Sequence, residues 1–284
     1  MAVLTQTITI GHTPDLDDAF MFYALAHGKV TLNGFAIQHV IEDIQSLNHR
    51  ALRAELDITA VSAASFPDVA KDYWILSVGS SVGQDYGPLV VSMSGCNPEQ
   101  LNGRRIAVPG NRTTAYMVLK LAIPHCVPVE MRFEDVPAAV LEKRVDAGLL
   151  IHEWQLTYRD RGLLPILDLG TWWQKQKGLP LPLGLNVIKQ SLGKATAVEL
   201  ARGLRDSILY AMTHQDEAIT GSMQYGRGID LNRARQFVGM YVNEETLSLS
   251  AHSRQALREL YEMAQRAGLL TTIPPLVFID PPKL

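Results

Sequence analysis

The sequence predicts an α/β protein built as two lobes. Its 284 residues are enough for one large domain or two ordinary ones, and because single cores rarely grow beyond about 250–300 residues, we expect two lobes. Of these residues, 47% are hydrophobic and 19% are charged, as in folded globular domains. The order strand, helix, strand, helix, strand occurs twice, within residues 5–62 and within residues 104–151. Because parallel strands need a crossover, which a helix supplies, we expect a mainly parallel sheet in each half.

The first half begins with a strand over residues 5–11, where threonine and isoleucine alternate. A helix follows over 17–26, and Asp17 and Asp18 in its first turn suit the positive end of the helix dipole. The next strand, helix and strand are predicted over 35–41, 44–54 and 58–62. Ser62 closes the last of these strands at its carboxyl end, where open α/β sheets bind ligands.

The second half repeats this order. The predicted strands are 104–108, 131–134 and 147–151, and the predicted helices are 113–122 and 136–143. His152 directly follows a wholly apolar strand, just as Ser62 ends the corresponding strand of the first half. We therefore expect both residues where ligands bind.

A segment rich in proline and glycine, residues 178–186, is predicted to be a linker. The later pattern is mostly helical, with helices predicted over 195–214, 217–225, 232–241 and 250–267 and a short last strand within 274–279. We therefore expect a larger, discontinuous lobe from residues 1–93 and 183–284, and a smaller inserted lobe from residues 94–182.

Charge and composition exclude several classes of partner. The formal net charge is −3, and the 26 basic and 29 acidic residues of the chain are spread along the sequence without clusters of one sign. We therefore expect neither a nucleic acid nor a membrane as partner. No segment has the roughly 18 apolar residues of a spanning helix, and residues 1–11 lack a basic leader. We expect a cytoplasmic protein whose partner is a small molecule, with Cys96 and Cys126 reduced.

Common catalytic motifs are absent from the sequence. It has no Gly-rich dinucleotide loop, no Walker lysine loop and no nucleophile elbow. The segment that starts at His152 resembles a zinc-protease motif but has Leu156 where the second histidine must be. Asp15, Asp17 and Asp18 crowd one turn without the spacing of a cation loop, and Asp18 is a candidate helix cap beside two solvated acids. We therefore predict no metal and no cofactor.

Two candidate sites remain, each with a structural alternative. Residues 110–114 join a strand to a helix, so Thr113 and Thr114 either help to bind an anion there or Thr113 serves only as an N-cap. His152 is either a general base, since imidazole titrates near neutral pH, or a structural histidine.

Five segments of the sequence match a known family, and the most specific are the His-Glu segment and the Leu-Pro-Leu-Pro run: residues 18–25, 87–91, 113–114, 148–158 and 179–186. By these segments the chain resembles the 1,4-dihydroxy-6-naphthoate synthases, enzymes of the futalosine route to menaquinone that cleave cyclic dehypoxanthinyl futalosine. The resemblance covers nearly the whole chain.

The resemblance implies a periplasmic-binding-protein-like type II fold, with two α/β lobes and a ligand cleft between them. It implies a cofactor-free carbon–carbon lyase in which His152 removes a proton from a sugar carbon, starting a retro-aldol-type fragmentation. The partner would be a small carboxylated substrate. The residues matched to substrate binding are Thr13, Asp18, Ser62, Thr113, Thr114 and Asn186.

The sequence also departs from this family. Residues 13–18 read Thr-Pro-Asp-Leu-Asp-Asp where Ser-Pro-Cys-Pro-Asn-Asp is usual, Ala60 replaces an expected lysine, and Trp154 replaces a common glycine. Losing the lysine removes a charge that could pair with a carboxylate. Two alternatives follow: a cytoplasmic small-carboxylate-binding protein without turnover, and an enzyme like the chorismate dehydratases, which share the fold but lack the His-Glu segment. The role of His152 discriminates among these interpretations, because an inert His152 would favour the binding protein without turnover.

Overall fold

A computed structural model describes residues 5–283. Its strands are β1 (Gln6–His12), β2 (Phe35–Ile41), β3 (Ile58–Ser62), β4 (Tyr73–Leu76), β5 (Ser81–Gly83), β6 (Leu89–Ser92), β7 (Arg105–Val108), β8 (Val127–Glu130), β9 (Ala147–Leu150), β10 (Leu164–Asp168), β11 (Leu181–Lys189) and β12 (Phe278–Ile279). Its helices are α1 (Leu16–Met21), α2 (Tyr23–Ala26), α3 (Ile44–Leu52), α4 (Phe66–Val69), α5 (Thr114–Ala122), α6 (Val136–Leu141), α7 (Trp154–Thr157), α8 (Leu169–Lys177), α9 (Lys194–Thr213), α10 (Gln215–Ser222), α11 (Leu231–Tyr241), α12 (Glu244–Leu247) and α13 (Ala251–Arg266). Within residues 5–283, no helix combines the length and apolarity needed to cross a bilayer.

The chain divides into two compact units. The first comprises the described part of Met1–Val82, Gly184–Ser250 and Pro274–Leu284, and the second comprises Gly83–Leu183 and Ala251–Ile273. Residues 83–93, residue 183 and residues 251–273 were predicted in the larger lobe but lie in the second unit. The physical reason is pairing and packing over long sequence separations, because β6 pairs with β9 and β10 and α13 packs against α5.

The sheet of the first unit has the strand order β12-β4-β11-β3-β1-β2, and β5 also pairs with β11. Strand β1 runs parallel to β2 and to β3, as the strand–helix alternation predicts. Strand β11 is antiparallel to β3 and to β4. The carboxyl ends of β1 and β3 therefore lie at one edge of the sheet, where they place His12 and Ser62.

The second unit contains a sheet of order β10-β6-β9-β7-β8. Strand β7 is parallel to both β8 and β9, whereas β6 and β10 add antiparallel pairs. Each sheet thus has a parallel core of three neighbouring strands, and in the first unit β12 also runs parallel to β4. The expectation of a mainly parallel sheet holds for these pairs and is wrong for β11, β6 and β10, which pair antiparallel with their neighbours.

Two elements differ from the sequence predictions. The predicted linker over 178–186 is largely strand β11, whose pairing with β3 begins at Gly184, two residues beyond Pro182. The strand predicted over 131–134 lies earlier, at β8, and Phe133–Asp135 forms a 3-10 turn. Strand β8 contains Pro128 and is the last strand of its sheet, a position where the missing proline N–H costs no internal ladder bond.

The longer helices bury a stripe with helical spacing. In α13 the buried positions are Ser253, Ala256, Leu257, Leu260, Tyr261 and Ala264. In α9 they include Ala197, Leu200, Ala201, Leu204, Ile208 and Ala211. Steps of three and four residues keep one face of each helix against its unit, so burial of that face stabilises the helix.

Candidate active site

The turn after β1 joins two of the predicted site residues. The N–H of Thr13 donates to Oδ2 of Asp18 at 2.6 Å, and the Thr13 hydroxyl lies 2.8 Å from the same oxygen and 2.5 Å from Oδ2 of Asp15. Asp15 is the N-cap of α1, accepting from the N–H of Asp18. The prediction that Asp18 caps this helix is wrong, because Asp15 does so. The prediction that Asp15 and Asp17 are solvated is also wrong, because both are buried.

A pair of histidines at the end of β1 was not predicted. Nε2 of His12 lies 3.1 Å from Nδ1 of His39, and Nδ1 of His12 lies 3.4 Å from the carbonyl oxygen of Thr13. Since a carbonyl only accepts, this geometry assigns the proton of neutral His12 to Nδ1. The ring of His12 also stacks on Phe22 with centroids 4.7 Å apart.

The buried His12 is neutral at pH 7. Burial, and next the neighbouring His39, lower the pKa of His12 to about 4, although the Thr13 carbonyl and Asp15 act in the opposite direction. The pKa of His39 is also lowered, first by burial and then by His27. Desolvation disfavours the charged imidazolium, so both rings favour the neutral form.

Ser62 is held at the end of β3 by Asn48 of α3. Nδ2 of Asn48 donates to the Ser62 hydroxyl at 3.1 Å, and the N–H of Ser62 donates to Oδ1 of Asn48 at 2.8 Å. Both residues are buried. The first bond uses an acceptor lone pair of the serine and not its proton, so Ser62 keeps a donor for another group.

Asn186 lies on β11 opposite Ala60, and Ser62 lies opposite Gly184. The two side chains therefore share one face of the sheet. Nδ2 of Asn186 donates to the carbonyl of Gly79 at 2.8 Å, and within residues 5–283 its buried Oδ1 accepts no hydrogen bond. Ala60 itself packs with Leu47 and Leu56, so this position carries an apolar contact instead of a charge.

In the second unit, the hydroxyls of both predicted threonines already donate hydrogen bonds. Thr113 is the N-cap of α5, because its hydroxyl accepts from the N–H of Tyr116 at 3.1 Å and donates to the carbonyl of Gly110 at 2.8 Å. The Thr114 hydroxyl donates to the carbonyl of Leu183 at 2.6 Å. Thr113 is therefore an N-cap, and the groups at this helix start that suit an anion are backbone N–H groups.

His152 follows β9 and has a left-handed backbone conformation, with φ of +55°. Few residues other than glycine adopt this conformation, which is commonest at turns and functional sites. The carbonyl of His152 accepts from the N–H of Gln155 at 3.1 Å. Because β7 and β9 are parallel neighbours, His152 and Thr113 follow strands that end at the same edge of this sheet.

The imidazole of His152 packs against Phe133, another residue that the sequence reasoning missed. The two ring centroids lie 4.9 Å apart with an interplanar angle of 63°. Phe133 is buried in the 3-10 turn before α6, and α6 packs against β9. Local periodicity contains no signal for this contact, which joins positions 19 residues apart.

Trp154 follows the His-Glu pair and packs against the apolar core of the second unit. The guanidinium carbon of Arg161 lies 4.4 Å from the centroid of the Trp154 ring. The departure from glycine at this position is therefore explained by packing and a cation–π contact.

Comparison with known proteins shows the family of this chain. The sequence profile of a family described as "Menaquinone biosynthesis" matches residues 8–266. A Thermus thermophilus protein named "1,4-dihydroxy-6-naphtoate synthase" is 35% identical over 274 residues, covering 96% of this chain and all of that protein. A Streptomyces coelicolor protein of the same name is 36% identical over 276 residues, covering 95% of this chain and 97% of its own length. Both names are those of enzymes.

Solved structures show the same fold. A crystal structure of an Archaeoglobus fulgidus protein is 50% identical and has a TM-score of 0.90, covering 93% of this chain and 98% of that one. A Candida albicans protein described as having the generic periplasmic-binding-protein fold is 16% identical with a TM-score of 0.67, covering 94% and 92%. The fold is therefore periplasmic-binding-protein-like, and by profile and identity the chain belongs to the menaquinone biosynthesis family.

Proposed function

We propose that this protein is a 1,4-dihydroxy-6-naphthoate synthase, which cleaves cyclic dehypoxanthinyl futalosine and releases 1,4-dihydroxy-6-naphthoate. The observation that carries the proposal is the identity of 35–36%, over nearly the full length, to two proteins named as this synthase. In addition, His152 follows a buried strand and itself has a left-handed backbone conformation. Neutral imidazole suits a general base near pH 7 and needs no metal to accept a proton.

In this proposal His152 accepts a proton from the sugar part of the substrate, and a carbon–carbon bond of the sugar then breaks. This makes the enzyme a carbon–carbon lyase. The backbone around His152 is constrained by the Gln155 N–H and by the packing of Trp154. A base held on a constrained segment loses little orientational freedom when it meets the substrate.

The substrate carboxylate is proposed to bind at the N-terminus of α5. This helix has nine residues and a capped first turn, so its first N–H groups lack intrahelical acceptors and carry the positive end of the dipole. The Thr113 and Thr114 hydroxyls shape the site through their bonds to Gly110 and Leu183. Thr13, Asp18, Ser62 and Asn186 of the first unit stay predicted substrate contacts.

Product formation tests the function directly. The purified protein is incubated with cyclic dehypoxanthinyl futalosine, and dihydroxynaphthoate is detected by mass spectrometry. Saturable calorimetric binding of the naphthoate with no product would instead indicate a binding protein without turnover.

The role of His152 is tested with His152→Asn, which keeps a similar size and one hydrogen-bonding group but cannot act as a base. Turnover should fall by about 10²–10⁴-fold with little change in naphthoate affinity. His125→Asn, at an exposed histidine of the same unit, is the matched control and should retain turnover. Near-normal turnover by the His152 variant would assign this residue a structural role.

A further inference from the structure

The place of Phe133 in the second unit depends on a glycine in β9. A Cβ at Gly148 would lie 2.7 Å from Cγ1 of Val136 and 2.7 Å from Cγ2 of Val140. The lack of a side chain at Gly148 therefore lets α6 lie directly on the strand. Because Phe133 begins the 3-10 turn that leads into α6, this close approach also sets the position of its ring.

The ring of Phe133 stands at the carboxyl end of the same strand. There it meets the imidazole of His152, at 4.9 Å between centroids and an interplanar angle of 63°. This tilted, edge-to-face arrangement is a favoured geometry for aromatic pairs. Phe133 is buried, whereas His152 is only partly so, so the phenyl ring is the fixed partner and the imidazole the one whose rotamer it restricts.

The backbone gives His152 little help in choosing that rotamer. At φ of +55° the residue lies outside the strand and helix regions, where packing along the element usually selects the side-chain direction. A left-handed residue persists where its surroundings over-determine it. The Gln155 N–H donates to the His152 carbonyl and constrains the backbone, whereas the contact with the Phe133 ring acts on the imidazole itself.

We propose that Phe133 is a positioning residue for the reaction, which holds the imidazole of His152 in the orientation needed to accept the substrate proton. This inference rests on the proposed role of His152 as base. Phe133 acts through His152 and not on the substrate, so it contributes to turnover and not to substrate affinity.

The test compares Phe133→Leu with Phe133→Tyr. The leucine variant removes the ring and should lower kcat by about 3- to 10-fold, the factor to which an aromatic pair contact corresponds, with KM within about twofold. The tyrosine variant keeps the ring and should recover most of the turnover. Val91→Ala, at a buried position in an apolar core cluster of the second unit, is the control for loss of packing and should keep kcat.

A second readout is independent of turnover. The Cε1–H resonance of His152, assigned by its loss in His152→Asn, is recorded for each variant. Phe133→Leu should shift this resonance because the ring current of the phenyl group is lost, whereas Val91→Ala should leave it in place. If the leucine variant is unfolded by circular dichroism, Phe133→Met replaces it.

The outcomes separate this inference from the proposed function. If the wild-type protein forms product but the leucine variant turns over normally, or if the His152 resonance does not move, Phe133 does not position the base. If kcat and KM change together in Phe133→Leu, Phe133→Tyr and Val91→Ala alike, Phe133 acts only through stability, which also overturns the proposal. If the wild-type protein forms no product, the proposed function fails, and with it the role of Phe133 in that reaction.

Discussion

Acidification from pH 7 to pH 5 should destabilise the protein through His12. The folded chain holds the pKa of His12 at about 4 by burial and by its neighbour His39, whereas an unfolded histidine titrates near 6.5. Between these two values the unfolded state binds more protons, so the free energy of unfolding falls as the pH falls. The part of the unfolding free energy that depends on neutral His12 is fully present above about pH 6.5 and is lost progressively as the pH falls towards 4.

The magnitude follows from the two pKa values. At pH 5 nearly all unfolded chains carry a proton on this histidine, but only about a tenth of folded chains do, and the difference from pH 7 corresponds to about 2 kcal/mol of unfolding free energy. Urea denaturation at pH 7 and pH 5 measures it. His12→Gln removes the titrating group, so the variant should lose about 2 kcal/mol less than the wild type over this range.

His252→Gln, at an exposed histidine of α13, is the matched control and should follow the wild type. His39 remains in the His12 variant and keeps its own, smaller contribution, since its pKa is also lowered. Parallel stability curves for the wild type and His12→Gln between pH 7 and pH 5 would refute the reasoning, because they would show that His12 does not resist protonation in the folded state.

Two further predictions concern the contacts around the candidate site. Asn48→Ala leaves the buried N–H of Ser62 without its acceptor and should cost about 1–3 kcal/mol in chemical denaturation. It should cost more than Ser62→Ala, which removes the acceptor of the Asn48 Nδ2 group but keeps the bond from the Ser62 N–H to Asn48. Equal costs would contradict this account. Gly148→Ala crowds Val136 and Val140 and should cost about 1–3 kcal/mol. A second change, Val140→Ala, should recover part of that loss in thermal unfolding, whereas simple addition of the two losses would argue against crowding at this position.

Local pattern predicted much of the fold. Strands β2 and β3 were predicted with the bounds that the structure shows, and the long helices differ from their predictions by a few residues. The reason is that alternation and helical spacing are properties of neighbouring residues. The proline-rich run at β11 was misread as a linker, since its strand character comes from pairing with β3 and β4, which lie more than a hundred residues earlier.

The sequence by itself determined the α/β class, the repeated order of elements, and the placement of His152 beyond an apolar strand. It also contained the segments by which the chain resembles its family. Tertiary structure alone decided which groups bond to which. It showed that Asp15 caps α1, that Thr113 and Thr114 donate within their own unit, and that Asn48 and Phe133 contact Ser62 and His152. The contacts of Thr114 with Leu183, of Asn48 with Ser62 and of Phe133 with His152 join residues that no local period relates, because their distance depends on how strands and helices pack and not on their separation along the chain.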